Sequence, residues 1–186
     1  MILSPRGHRS LVALLALSFA AVASTAFAGH GAEHIAKARR QALGTTVTVR
    51  GTVSVPSDAF DPGFAIQDNA AGIYVLDSGS APRALGDAVE VTGTLVDSFG
   101  LLAIQPTAIT ALGSGKQVKP HKEKTGRVGE STEGRLLELD GEMVGDVFDD
   151  SPFGFIVHID DGSGPIQLFL FPGTGISTQD ADQTWA

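Results

Sequence analysis

Between residues 45 and 55 the chain reads T-T-V-T-V-R-G-T-V-S-V. Val47, Val49, Gly51, Val53 and Val55 fall on one side, and Thr46, Thr48, Arg50, Thr52 and Ser54 on the other. A period of two with one apolar side predicts a strand with one face in a core. Gly51 within it predicts a bulge or bend. The alternation resumes in G-F-A-I-Q-D-N-A-A-G-I-Y-V-L-D, residues 63 to 77. Here Phe64, Ile66, Ile73 and Val75 point one way, Gln67 and Tyr74 the other, and Asn69 to Gly72 make the turn. Ala81 to Gly86 predicts a short helical turn, with Pro82 where proline is tolerated. Asp87 to Val96 predicts a fourth strand, and Leu101 to Leu112 a fifth, broken at Pro106. Upstream, from about Ala32, an Ala-rich stretch predicts a helix with Ile35, Ala38, Ala42 and Leu43 on one face. Gly44 is its stop. Five short strands behind one short helix predict an all-β unit whose sheet closes on itself, since closure removes exposed edges.

The same pattern restarts downstream. L-L-E-L-D-G-E-M-V-G-D-V, residues 136 to 147, matches the first long strand, and G-F-I-V-H-I-D-D-G-S-G-P-I-Q-L-F-L, residues 154 to 170, matches the hairpin. Gly51 pairs with Gly141, Gly63 with Gly154, Asp68 with Asp160 and Gly72 with Gly164, at separations of 90, 91, 92 and 92 residues. Such near-constant spacing predicts a tandem repeat. After F-L-F-P-G-T-G-I-S-T no counterpart of the fourth and fifth strands follows, so the second unit is expected to be truncated. Three arrangements suit it: packing on the first barrel, pairing with another molecule, or descent from a longer ancestor.

Composition adds a compartment. Arg6, His8 and Arg9, the apolar run Leu11 to Ala23 and then Ala26-Phe27-Ala28 read as a secretory signal cleaved after Ala28. The run is shorter than the roughly 20 apolar residues that span a bilayer. Export to the periplasm or medium is therefore expected, with no membrane attachment after cleavage. The chain has no cysteine, so neither disulfides nor thiolate chemistry are on offer. Charge is unevenly spread. Residues 29 to 113 carry 5 basic and 8 acidic groups, residues 114 to 127 carry 5 and 1, and residues 128 to 186 carry 1 and 12. The expected division is a signal peptide (1–28), a complete unit (29–113), a basic linker (114–127) and a partial unit (128–186). An acidic total opposes tight, sequence-independent phosphate binding.

With G-T-T-V-T-V-R-G-T-V, G-F-A-I-Q-D…G-I-Y-V and L-G-D-A-V-E-V-T-G-T-L on the page, the chain resembles the OB-fold domains attached to bacterial extracellular nucleases and related secreted proteins. More distantly it is similar to small periplasmic bacterial OB-fold proteins. The likeness covers residues 35 to 112, and residues 130 to 176 as a partial second copy. It implies a small five-stranded OB-type barrel followed by a truncated OB-like unit. It also implies a binding role toward nucleic acid or another ligand as an accessory to catalysis. No catalytic domain is expected beside it, and nuclease activity is not expected.

An OB barrel presents ligands to the outer face of its second and third strands. That places Tyr74 and Gln67 as candidate contacts, with Arg50 and Thr48 beside them on the first strand. Tyr74 could stack on a base or sugar ring, or else cover the barrel or contact the second unit. In the second unit Gln167 falls opposite Tyr74, leaving His158 and Phe169 as the nearest substitutes. Asp68, Asp160, Asp161, Gly72 and Gly164 read as turn residues, Asp capping amides and Gly allowing positive φ. His30, Glu33 and His34 could share a metal or simply be a frayed terminus; no calcium loop is present, and no metal or cofactor is expected. Neither a G-x-S-x-G nor a phosphate-loop glycine pattern occurs. The expectation is a non-enzymatic secreted binding protein for single-stranded nucleic acid or saccharide. The alternatives are an interaction module that docks on a partner or on itself through its open second unit, and a relic of a secreted nuclease.

Overall fold

The computed structural model describes residues 31–176 apart from 58, 60, 61, 78 and 80. The expected signal peptide and His30 lie outside the described residues. The fold is almost wholly β. A one-turn helix α1 (Ile35–Ala38) precedes β1 (Thr46–Val55), β2 (Phe64–Gln67), β3 (Gly72–Val75), β4 (Asp87–Ser98) and β5 (Leu101–Ser114). These five strands close in the order β1-β2-β3-β5-β4, with β3 and β5 parallel and the other pairs antiparallel. That is an OB-type barrel. Its core is the inward side read from the alternation: Val49, Val53, Phe64, Ile66, Ile73 and Val75 are all fully buried, joined by Val89, Val91, Leu95 and Ile104.

β1 serves two neighbours. Residues 46–52 pair with β4 and 52–55 with β2, so the strand turns a corner at Thr52. The register shift lies between Val53 and Val55 rather than at Gly51. Gly51 answers to crowding instead, because a Cβ there would stand 3.0 Å from Ile66 Cβ. Pro106 bends β5 without breaking it: the β4–β5 register slips beside Gly93, and the ladder continues to Ser114.

The helix is shorter than its composition predicts. Glu33 is drawn into a parallel bridge with Val49, and the Ile35 amide bonds the Asp68 carboxylate at 2.9 Å. Those two ties fix where the helix can begin. Ile35 and Ala38 are buried, whereas Leu43 is 58% exposed. No helix forms over 81–86; Ala84 to Asp87 makes a turn, closed by the Asp87 carboxylate on the Ala84 amide at 2.8 Å.

Beyond β5 come β6 (His121–Glu123), a 3-10 turn (Thr125–Arg127), β7 (Leu137–Leu139), β8 (Glu142–Met143), β9 (Phe148–Asp149), β10 (Phe155–Asp160), β11 (Ile166–Leu170) and a last 3-10 turn (Pro172–Thr174). β6 pairs with β7 in parallel, while β10 pairs with β8, β9 and β11. Residues 121–127, expected as linker, thus hold regular structure. The long strand expected over 136–147 is broken into β7 and β8, and Gly145 at φ 75° bends the chain between β8 and β9.

Parallels between the halves reach further than the sequence landmarks. Glu33 bridges Val49, and Glu123 pairs with Leu139, each ninety residues on. Gly63 and Gly154 have φ of 143° and 148°. A Cβ on either would strike the carbonyl closing its hairpin, Val75 or Leu170, and would approach the ring of Tyr74 or Phe169. Phe169, not Gln167, therefore occupies the place of Tyr74. Four extra residues in the second hairpin shift the count, and Gln167 pairs with His158 instead. Asp68 takes the amides of Ala70 and Ala71, and Asp160 those of Gly162 and Gly164.

Candidate functional site

The outer face of β2 and β3, read from the sequence either as a ligand surface or as a contact with the second unit, is covered in part. Ala65 and Gln67 are buried, with Gln67 at 7% exposure. Its Oε1 accepts the Leu136 amide at 2.9 Å. Gly72 does not adopt positive φ, contrary to its reading as a turn residue; it is glycine because a Cβ would overlap the Gly134 carbonyl. Glu133 locks the seam. One carboxylate oxygen meets Arg39 Nη2 at 2.7 Å and the other accepts the Leu102 amide at 2.9 Å. Arg39 Nη1 also bonds the Gly72 carbonyl at 3.2 Å. Both side chains are mostly shielded, so the pair is charge-assisted and only weakly screened.

Beside this seam the covering segment stands off the barrel and leaves a cavity of 710 Å³. Its barrel wall is Ala65, Tyr74 and Leu76, with Pro62 from the β1–β2 loop and Phe99 from the β4–β5 turn. Arg135, Leu136, Leu137 and Phe171 supply the opposite wall. Phe171 packs edge-on to Phe169, ring centres 4.8 Å apart. Two polar atoms on these walls have no hydrogen-bond partner: Ser54 Oγ, on a residue only 6% exposed, and the shielded Nε of Arg135. Unsatisfied buried polar groups are rare in folded chains and call for an explanation.

Phe99 is the second unusual feature. It is fully exposed, and its φ is 56°. With Gly100 at φ 90° it forms the centre of a two-residue turn between paired Ser98 and Leu101. Such turns favour Asn-Gly, and a bulky residue at the first position is strained by roughly 1 to 3 kcal/mol. The strain holds an aromatic ring at the cavity mouth.

The other expected contacts lie elsewhere. Thr48 shares a hydroxyl bond of 2.9 Å with Thr92, and Arg50 Nε binds Glu90 at 2.7 Å, both on the β1–β4 surface. His158 lies on β10 in register with Gln167, and its carbonyl accepts the Val144 amide. Of the six expected residues the cavity gathers only Tyr74 directly, with Phe169 behind it against Phe171 and Gln67 tied up in the seam. Phe99, Phe171, Ser54 and Arg135 were missed. Two signals marked them: Phe-Gly where a turn wants Asn-Gly, and Arg135 as the lone basic residue of positions 128–186.

Among the described residues no group of three or more His, Asp or Glu is arranged to hold a metal ion, and no helix is long and apolar enough to cross a membrane. Glu33 binds Gln41 and Lys37, while His34 sits 3.6 Å from Asp68.

No family model and no curated protein matches the sequence. Among solved structures the chain is similar to one titled the hypothetical protein ygiW from E. coli, at 22% identity and a TM-score of 0.37; the match covers 44% of this chain and 90% of that one. The strand order, rather than this likeness, identifies the barrel.

Proposed function

We propose that this chain is an exported, non-enzymatic OB-type binding protein that receives a saccharide in the cavity between the barrel and the segment covering it. The observation that carries the reading is the aromatic lining of the cavity, Tyr74, Phe99 and Phe171, with the partnerless polar atoms Ser54 Oγ and Arg135 Nε shielded within its walls. Aromatic faces stack on sugar or base rings, and a few convergent polar groups fix orientation. A volume of 710 Å³ falls in the range of small-molecule sites, on the order of 300 to 1,000 Å³. A sugar suits it better than a nucleic-acid strand. The seam at Gly72–Gly134 and Gln67–Leu136 blocks a polymer from running along β2 and β3. The net charge of −8 also works against a phosphate backbone.

In this reading the second half is a partial copy of the first, supported by the matched bridges, glycines and Asp turns. It has been reused as the lid of the first copy's ligand face. A second reading, docking of a protein partner on the second sheet, has its own support in Phe148 and Phe153, exposed at 61% and 68%.

Calorimetric titration with cellotriose, maltotriose and chitotriose tests the proposal, with a ten-residue oligothymidylate alongside. One trisaccharide should bind saturably, and Phe99→Ala should weaken it by roughly threefold to tenfold, the scale of one aromatic contact. Binding of the oligonucleotide alone would move the assignment to nucleic acid. Sugar binding indifferent to Phe99 would remove this cavity from the account.

A further inference from the structure

On the other side of Arg135 lies a second cavity, 620 Å³, between the β1–β2 surface and residues 116–121. Its charged lining is Arg50, Asp68, Lys116, Lys119 and Arg135, with His121 at one end. This is a concentration of cations in a chain of net charge −8. Asp68, the one carboxylate of the lining, keeps its charge, but its oxygens accept the amides of Ala70, Ala71 and Ile35 at 2.8, 2.9 and 2.9 Å and its ion-pair partner is His34 at 3.6 Å, so it salt-bridges none of these cations. Arg50 is matched by Glu90. His121 stands 3.7 Å from Glu123. Among the described residues Lys116, Lys119 and Arg135 have no ion pair. Arg135 also keeps its shielded Nε without a partner, and it lines this cavity as well as the aromatic one.

From that placement we infer that the groove is an anion site for a compact ligand bearing two or more phosphate or sulfate groups. Lys116 and Lys119 grip it from one wall and Arg135 from the other. The chemistry follows from the donors. Guanidinium presents a planar fork to an oxyanion, and ammonium groups add mobile point charges. A groove with walls of low dielectric focuses the field of three unmatched cations, even on an acidic molecule. The site does not depend on sugar binding: its two lysines lie outside the aromatic cavity.

Titration with inorganic tripolyphosphate at 50 and 200 mM NaCl reads this directly. One equivalent should bind at low salt and weaken steeply at the higher concentration. The double variant Lys116→Gln/Lys119→Gln changes only exposed side chains and should lower affinity about tenfold or more, with a shallower salt dependence. Arg135→Gln should do the same, whereas Lys37→Gln, which removes a cation already paired with Glu33 at 3.2 Å, and Phe99→Ala should leave binding unchanged. Absent binding, or equal loss from Lys37→Gln, would overturn the site. So would binding by oligothymidylate but not tripolyphosphate, which would mean a polymer track in place of a compact anion site. Because Phe99→Ala reads the sugar cavity alone, either proposal can fail while the other stands.

Discussion

At the scale of single residues, Phe99 and the turn aspartates separate two kinds of constraint. Phe99 occupies a left-handed position that Asn would hold with less strain. Phe99→Asn should therefore raise stability by about 1 kcal/mol in urea unfolding while weakening the ligand. A variant that is both less stable and fully competent to bind would refute the role given to this ring. The aspartates are structural. Burial pushes the Asp68 carboxyl up, but the amides of Ala70, Ala71 and Ile35, with the His34 charge, outweigh it and leave it lowered. Hydroxyl bonds from Ser163 and Thr125 bring Asp161 down to about 2. A lowered folded pKa gives stability that is full above the unfolded value near 4 and is lost as pH falls through the folded one. Unfolding midpoints should thus drop between about pH 4 and pH 2. Asp68→Asn should flatten part of that drop and cost about 1 to 2 kcal/mol at neutral pH.

At the scale of elements, alternation told β1, β2 and β3 almost completely. Val49, Phe64, Ile66 and Ile73 fill the barrel core because a period of two leaves no other way to bury them, while the outward Ser54, Ala65 and Gln67 are buried by contacts the alternation does not encode. Tertiary contacts overrode local preference in α1, where Val49 and Asp68 claim the residues that would have extended the helix. The linker composition of 114–127 concealed β6, whose pairing is with β7, sixteen residues ahead, and leaves no local pattern. The site was half legible. Tyr74 could be placed from its strand, but the cavity's other wall depends on how residues 133–137 cross the barrel, a long-range matter. That crossing makes its own prediction. Gly72→Ala must push the Gly134 carbonyl away. Hydrogen exchange at the Leu136 amide should accelerate, while amides of β4 and β5 stay protected. Unchanged exchange at Leu136 would contradict the seam.

For the molecule as a whole, an OB-type barrel has the outer face of β2 and β3, the proposed ligand surface, under a cover made by its own C-terminal half. Removing either side of the Arg39–Glu133 pair should loosen that cover, and a double-mutant cycle should show coupling of about 0.5 to 3 kcal/mol. The central claim, that ligand enters between barrel and lid, is read most directly by amide NMR of the full chain during titration with the trisaccharide that binds. The account predicts shifts confined to Ser54, Tyr74, Leu76, Phe99, Leu101 and residues 134–137, with Phe171. Shifts confined to the β1–β4 surface around Thr48 and Thr92, or to Phe148 and Phe153, would contradict it.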